Sequence, residues 1–213
     1  MPAEPKLAKQ LGVSRSSLRE AMRTFEIRGI LHRRQGSGTY VMAPAEVIES
    51  GLEVLESIET QARRMGLPVS MGALHVQQRL PAEAERTALG IAPGQMVVAV
   101  ERSILLKERP VAYLVDVLPE DVLRPSDLSG GFRGSVLDML LERGDPPLGT
   151  SRCDIQAVAA PPEIAKILGI QRGDVLLMFE ARLLSMEGRV VDYSLSYFLP
   201  GYFRFHVVRR VGA

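Results

Sequence analysis

Before residue 28 the chain twice sets apolar residues three and four positions apart. Glu4 to Gln10 carries Leu7 and Ala8, with Leu11 beyond them, toward one side, and Gly12 stands where a helix stops. Ser14 is a good cap for a second helix, along which Leu18, Met22 and Phe25 recur at helical spacing until about Arg28 and Gly29. Two helices joined through "LGVS" predict a helix-turn-helix, the motif whose second helix enters a major groove. The stretch "ILHRRQGSGTYVM" then moves through an apolar pair, basic residues, a Gly-Ser-Gly turn and a Thr-Tyr-Val strand, the pattern of a β-hairpin with a cationic tip.

From Pro44 to about Gly66 the pattern is helical again. Val47, Leu52, Leu55, Ile58 and Ala62 form a stripe interrupted at Gly51, which predicts a linker running into the first helix of a second domain. Beyond it lies an internal repeat. Leu89, Gly90, Ile91, Gly94 and Glu101 fall on Leu168, Gly169, Ile170, Gly173 and Glu180 at a constant offset, and each copy reads helix, strand, charged turn, strand. Two copies cannot make a stacked array, so the expected fold class is α+β, with a pseudo-symmetric domain built on one antiparallel sheet. The predicted units are residues 1–43, a linker and first helix at 44–72, and the repeat domain at 73–213. A ligand in such a domain is expected at the seam between the halves.

Composition narrows what this chain can be. With 213 residues, 46% of them apolar, it can bury a sizeable core. No apolar run approaches the roughly 18 residues that span a bilayer, and the opening "MPAEPKLAKQ" has no hydrophobic signal region, so a cytoplasmic protein without a membrane partner is expected. Cys153 is the only cysteine. It excludes an internal disulfide framework and a thiolate zinc cluster, and reads as a buried structural thiol rather than a nucleophile. The net charge of +1 conceals an asymmetry: residues 1–42 hold eight Lys or Arg against three Glu, and the rest of the chain is mildly acidic. A basic head suggests a polyanionic partner, with a solvated face as the plainer alternative.

Candidate chemistry in the second domain centres on "DLSGGFRGSVLDMLLERG". Glycines before Ser135 and a helix behind it form a possible anion site, toward which Arg102 and Arg152 could converge; Ser135 as a simple helix cap is the commoner case. Asp138 and Glu142, four apart, read as the solvated side of that helix rather than an acid/base pair. His32, His75 and His206 read as surface or packing residues. None of the hydrolase, zinc-protease, P-loop or dinucleotide motifs occurs, so no catalytic residue, metal or cofactor is expected. The aromatic tail "LSYFLPGYFRFHV" reads as core, dimer contact or pocket wall.

The run from Lys6 to Val41, "KLAKQLGVSRSSLREAMRTFEIRGILHRRQGSGTYV", closely resembles the winged helix-turn-helix of GntR-family bacterial transcription regulators. From Leu52 onward the chain resembles the effector-binding UTRA domain of the HutC subfamily, which shares its fold with chorismate lyase. The family's first helix, which packs across the other two, has no counterpart here, because Met1 to Glu4 stands where the connector into the second helix lies. Pro5 replaces an arginine that contacts DNA in many members.

The resemblance implies double-stranded operator DNA as one partner. Ser14, Arg15, Ser16, Ser17 and Arg19 would then lead the recognition helix, with Gln35, Gly36 and Gly38 at the wing tip and Arg33 and Arg34 adding charge. It also implies a small-molecule effector. Arg102, Ser135 and Asp192 match three effector-holding positions of sugar-phosphate-responsive members, while Leu114 and Phe198 replace a carboxylate and a tyrosine. That predicts a drier anion clamp, with Arg152 added from its position alone and Phe198 on the wall. The expected protein is a ligand-responsive regulator, a repressor and a homodimer. A ligand-binding module that has lost DNA binding, or a chorismate-lyase-like enzyme, are the alternatives.

Overall fold

The computed structural model describes residues 1–27, 30–34, 38–41, 47–130 and 132–211. The head consists of α1 (Glu4–Leu11), α2 (Arg15–Ile27), β1 (Leu31–Arg34) and β2 (Gly38–Val41), the strands pairing antiparallel as the predicted hairpin. Gly12 ends α1 in the left-handed conformation at φ +65°, and the N–H groups of Gly12 and Val13 cap the carbonyls of Lys9 and Ala8. Ala8, Leu18, Met22 and Leu31 close a small core, with Leu7 against it. Leu11 and Phe25, expected inside, are exposed. Two helices and one hairpin cover a single side of α2, and Phe25 falls outside it.

The stretch expected to be helical from Pro44 to Gly66 departs from prediction. Residues 42–46 lie outside the described set, and Ile48–Gly51 form a strand, β3, paired parallel with β10 (Phe203–His206). Ile48 and Ser50 are buried while Glu49 is exposed, an alternation of period two that the longer helical stripe concealed. Helix α3 occupies only Ile58–Arg64, where Ser57 caps it by accepting from the Thr60 N–H at 2.9 Å.

The rest is α+β, as expected. A six-stranded antiparallel sheet runs in the order β4 (Val69–Arg79), β5 (Val97–Leu106), β6 (Arg109–Pro119), β9 (Val190–Phe198), β8 (Val175–Ser185), β7 (Leu148–Ala159). Helices α4 (Glu83–Leu89) and α6 (Pro162–Leu168) occupy equivalent places in the two halves, and α5 (Val136–Arg143) lies between them in sequence. The repeat is therefore real in three dimensions: β5 and β6 of the first copy correspond to β8 and β9 of the second, and Val115 pairs with Leu195 at the centre.

Paired residues in an antiparallel ladder project to the same side, which assigns the two faces. One face carries Val98, Val100, Arg102, Asp116, Asp192 and Leu183, and α5 packs on it through Val136 and Leu140. The other carries Val97, Ala99, Val117 and Tyr193 against Leu89 and Ile91 of the α4 region.

Candidate functional site

Two groups of residues stand apart in the molecule. At the head, Ser14 caps α2: its Oγ accepts from the Ser17 N–H at 3.0 Å and lies 2.8 Å from the hydroxyls of both Ser16 and Ser17. Burial of Leu18 and Met22 turns Arg15, Ser16, Ser17 and Arg19 outward, and all four are exposed. Glu4 of α1 pairs with Arg19 at 2.7 Å and also with Arg33 of β1, so one carboxylate gathers a cation from the helix and one from the hairpin. The Arg19 hydrogen bond holds the Glu4 carboxyl below its ordinary value. Gly38 starts β2 with φ +108°, a conformation that favours glycine. Gln35, Gly36 and the side chain of Arg34 lie outside the described residues.

The second group is buried against the sheet where α3 and α5 begin. Arg102 of β5 is 4% exposed and forms an ion pair with Asp116 of β6. Asp192 of β9, also buried, hydrogen-bonds Asp116; burial first, then the Asp116 charge, pushes the Asp192 carboxyl well above its ordinary value. Glu59 of α3 is buried as well, and burial raises its carboxyl against the pull of Arg102. Three buried polar atoms here have no hydrogen-bond partner: Arg102 Nε, Asp192 Oδ1 and Glu59 Oε1. Buried polar groups are nearly always paired, so these open atoms have capacity for a further partner.

Asp138 ties the two helix starts together. It accepts from the Ser57 hydroxyl at 2.7 Å and the Thr60 hydroxyl at 3.1 Å, while its own N–H donates to Ser135 Oγ at 3.0 Å. The expectation of a solvated Asp138 is thus corrected, because its carboxylate is the acceptor that locks α5 to α3. Gly134 permits the approach. Its φ is +101°, and a Cβ there would lie 3.2 Å from Met71 Cβ and 3.4 Å from Glu59 Oε1.

The remaining expected residues divide. Arg102 and Asp192 meet within the cluster, and Ser135 is buried beside it as the cap of α5. Arg152 pairs in register with Arg182, and Arg182 with Tyr193, which puts it on the sheet face opposite Arg102. There it is exposed and pairs with Asp154 at 3.5 Å, so the structure does not bring it to the clamp. Phe198 is a core residue, with its ring 4.8 Å to 5.1 Å from those of Phe203, Phe205 and Phe179. Cys153, expected to be buried, is exposed on the edge strand β7. His75 and His206 are exposed. Sequence reasoning missed Asp116 and Glu59. The signal for Asp116 was available, since Leu114 and Asp116 are two apart on one strand and share a face. Glu59 carried none.

No helix among the described residues is long and apolar enough to cross a membrane. Residues 64–204 match the UTRA domain, and residues 1–41 match the bacterial regulatory proteins of the gntR family. The chain is 25% identical over 196 residues to the HTH-type transcriptional repressor NagR of Bacillus subtilis (strain 168), covering 92% of this chain and 79% of that protein. It is 27% identical over 210 residues to the histidine utilization repressor of Pseudomonas aeruginosa, covering 94% and 78%. The crystal structure of PhnF from Mycobacterium smegmatis shares its fold, with a TM-score of 0.71 at 20% identity over 100% of this chain and 92% of that one. The chain belongs to the gntR family of bacterial regulatory proteins, carries a UTRA domain behind its helix-turn-helix, and is a ligand-responsive DNA-binding transcription regulator.

Proposed function

We propose that the protein is a repressor acting as a homodimer through its C-terminal domain, with α2 of each head reading one half of a two-fold operator. The observation that carries this reading is the exposed row of Arg15, Ser16, Ser17 and Arg19 at the capped start of α2, above a buried Leu18 and Met22. Short hydroxyls and guanidinium groups at a helix start suit phosphate and base-edge contacts. Repression is supported by the relatives named as repressors.

The effector would occupy the cluster of Arg102, Asp116, Asp192 and Glu59. A route from there to the head runs along the sheet. Asp192 lies on β9, which pairs with β8, and Asp174 just before β8 forms an ion pair with Arg23 of α2. Asp174 also accepts from the Gln171 N–H at 2.9 Å, so the turn that holds Arg23 is itself held. Effector binding would reset this contact and with it the placement of the heads; a coupling of about 1 to 3 kcal/mol suffices for a 5- to 150-fold change in occupancy.

Fluorescence anisotropy with DNA from upstream of the protein's own gene tests the reading. Arg15→Ala and Arg19→Ala should each cost about 1 to 3 kcal/mol where the side chain reads a base, or shallow the salt dependence where it meets a phosphate. Wild-type binding that both variants reproduce at every salt concentration refutes the assignment of α2 as the reading helix.

A further inference from the structure

We infer that the group this site recognises on its effector is a cation, a protonated nitrogen received by Glu59 and Asp192 beside the Arg102–Asp116 pair. The inference rests on the reading of this cluster as the effector site. The expectation from sequence was the reverse, an anion held by Arg102, Ser135 and Asp192 at the start of α5.

Four elements around the site each contribute a carboxylate: Glu59 from α3, Asp116 from β6, Asp192 from β9 and Asp138 from α5. Against them stands one guanidinium, and its charge is already met by Asp116. Two of the three open polar atoms, Glu59 Oε1 and Asp192 Oδ1, are carboxyl oxygens. A phosphate or carboxylate group would meet Arg102 Nε on a guanidinium already answered by Asp116, and it would have to keep Glu59 and Asp192 protonated, because one positive charge cannot balance the ligand and every acid around it. An ammonium, amidinium or imidazolium group supplies N–H donors to both oxygens. It leaves Arg102 Nε for an oxygen elsewhere on the same molecule. In the free protein both acids are held toward their protonated forms, so a bound cation also lets them ionise.

A thermal-shift experiment on the full chain decides the matter with two probe sets: benzylamine, benzamidine and histamine against benzoate, phosphate and citrate. At least one cation should raise Tm, and its apparent affinity should fall roughly ten- to hundredfold in Glu59→Gln and in Asp192→Asn, the range for losing a charge-assisted hydrogen bond. Both variants should fold with Tm no lower than wild type, because an amide, like the protonated acid it replaces, carries no charge to bury. Stabilisation by the anions alone, or by no probe, overturns the inference. An anion response lost in Arg102→Ala, read against Glu59→Gln as a folded control, keeps the site and reverses the charge. A response to any probe that survives all three substitutions removes the effector site itself.

Discussion

The two halves of the sheet agree on one face and disagree on the other. On the face under α4, Tyr113 donates to Glu101 at 2.5 Å in the first copy, and Tyr193 donates to Glu180 at 3.1 Å in the second. These pairs occupy equivalent places around the central Val115–Leu195 pair. On the opposite face the register sets Arg102 against Ala181, Asp116 against Ser196 and Asp192 against Ala112. The second half fills its share with Phe179, Phe198, Phe203 and Phe205, whose rings lie 4.4 Å to 5.9 Å apart. Where the copies match, the tyrosine bonds serve the scaffold common to both. Where they differ, the second copy's equivalents of Arg102 and Asp116 are uncharged and its end of the face is aromatic core, while Arg102 and Asp116 of the first copy, joined by Asp192 of the second, keep charged groups that burial makes costly, as a site kept for a ligand would.

The hardest way to break the comparison is to remove its central cation. Arg102→Ala should cost about 3 to 5 kcal/mol in chemical denaturation, because it leaves buried carboxylates without their partner. Making the first half resemble the second, with Arg102→Ala and Asp116→Ser together, should be less damaging than Arg102→Ala alone. A double variant at least as unstable as Arg102→Ala alone would show that Asp116 is not the carboxylate left stranded by the loss of the cation.

The symmetric face predicts smaller and nearly equal effects. Tyr113→Phe and Tyr193→Phe should each cost about 1 kcal/mol, the net worth of one hydrogen bond, and leave the effector response intact. In the structure the Glu180 bond and burial raise the Tyr193 hydroxyl to about 12, burial being the larger cause. Unequal losses from the two substitutions would break the equivalence.

The pH dependence sharpens the asymmetric face. Asp192 has a folded value raised above its ordinary 3.8, so the native state holds a proton that the unfolded chain gives up. Its contribution to stability is therefore present at low pH and is lost as pH rises from that ordinary value through the folded one. Unfolding curves across this window should show wild type losing stability relative to Asp192→Asn as pH rises; a parallel pair of curves would mean that Asp192 is not held protonated.

Much of this molecule was legible in one dimension. The helix-turn-helix, the hairpin, the repeat and the cap of α5 at Ser135 depend on glycines, caps and apolar spacing within a few residues, and such local preferences act before the chain has closed on itself. Arg102 and Asp192 could also be picked out singly. Their meaning could not, because the charge of the site is a sum over α3, α5 and three strands. Which oxygens face one guanidinium depends on ladder register and on how two helix starts dock through Asp138. The same holds for Arg152, sent to the wrong face by a register that no single strand contains, and for β3, whose four residues become a strand only beside β10. Sequence determined the local elements and their doubling. Tertiary structure decided the electrostatics, because the energy of a buried charge depends on every neighbour that packing delivers, whatever its distance along the chain.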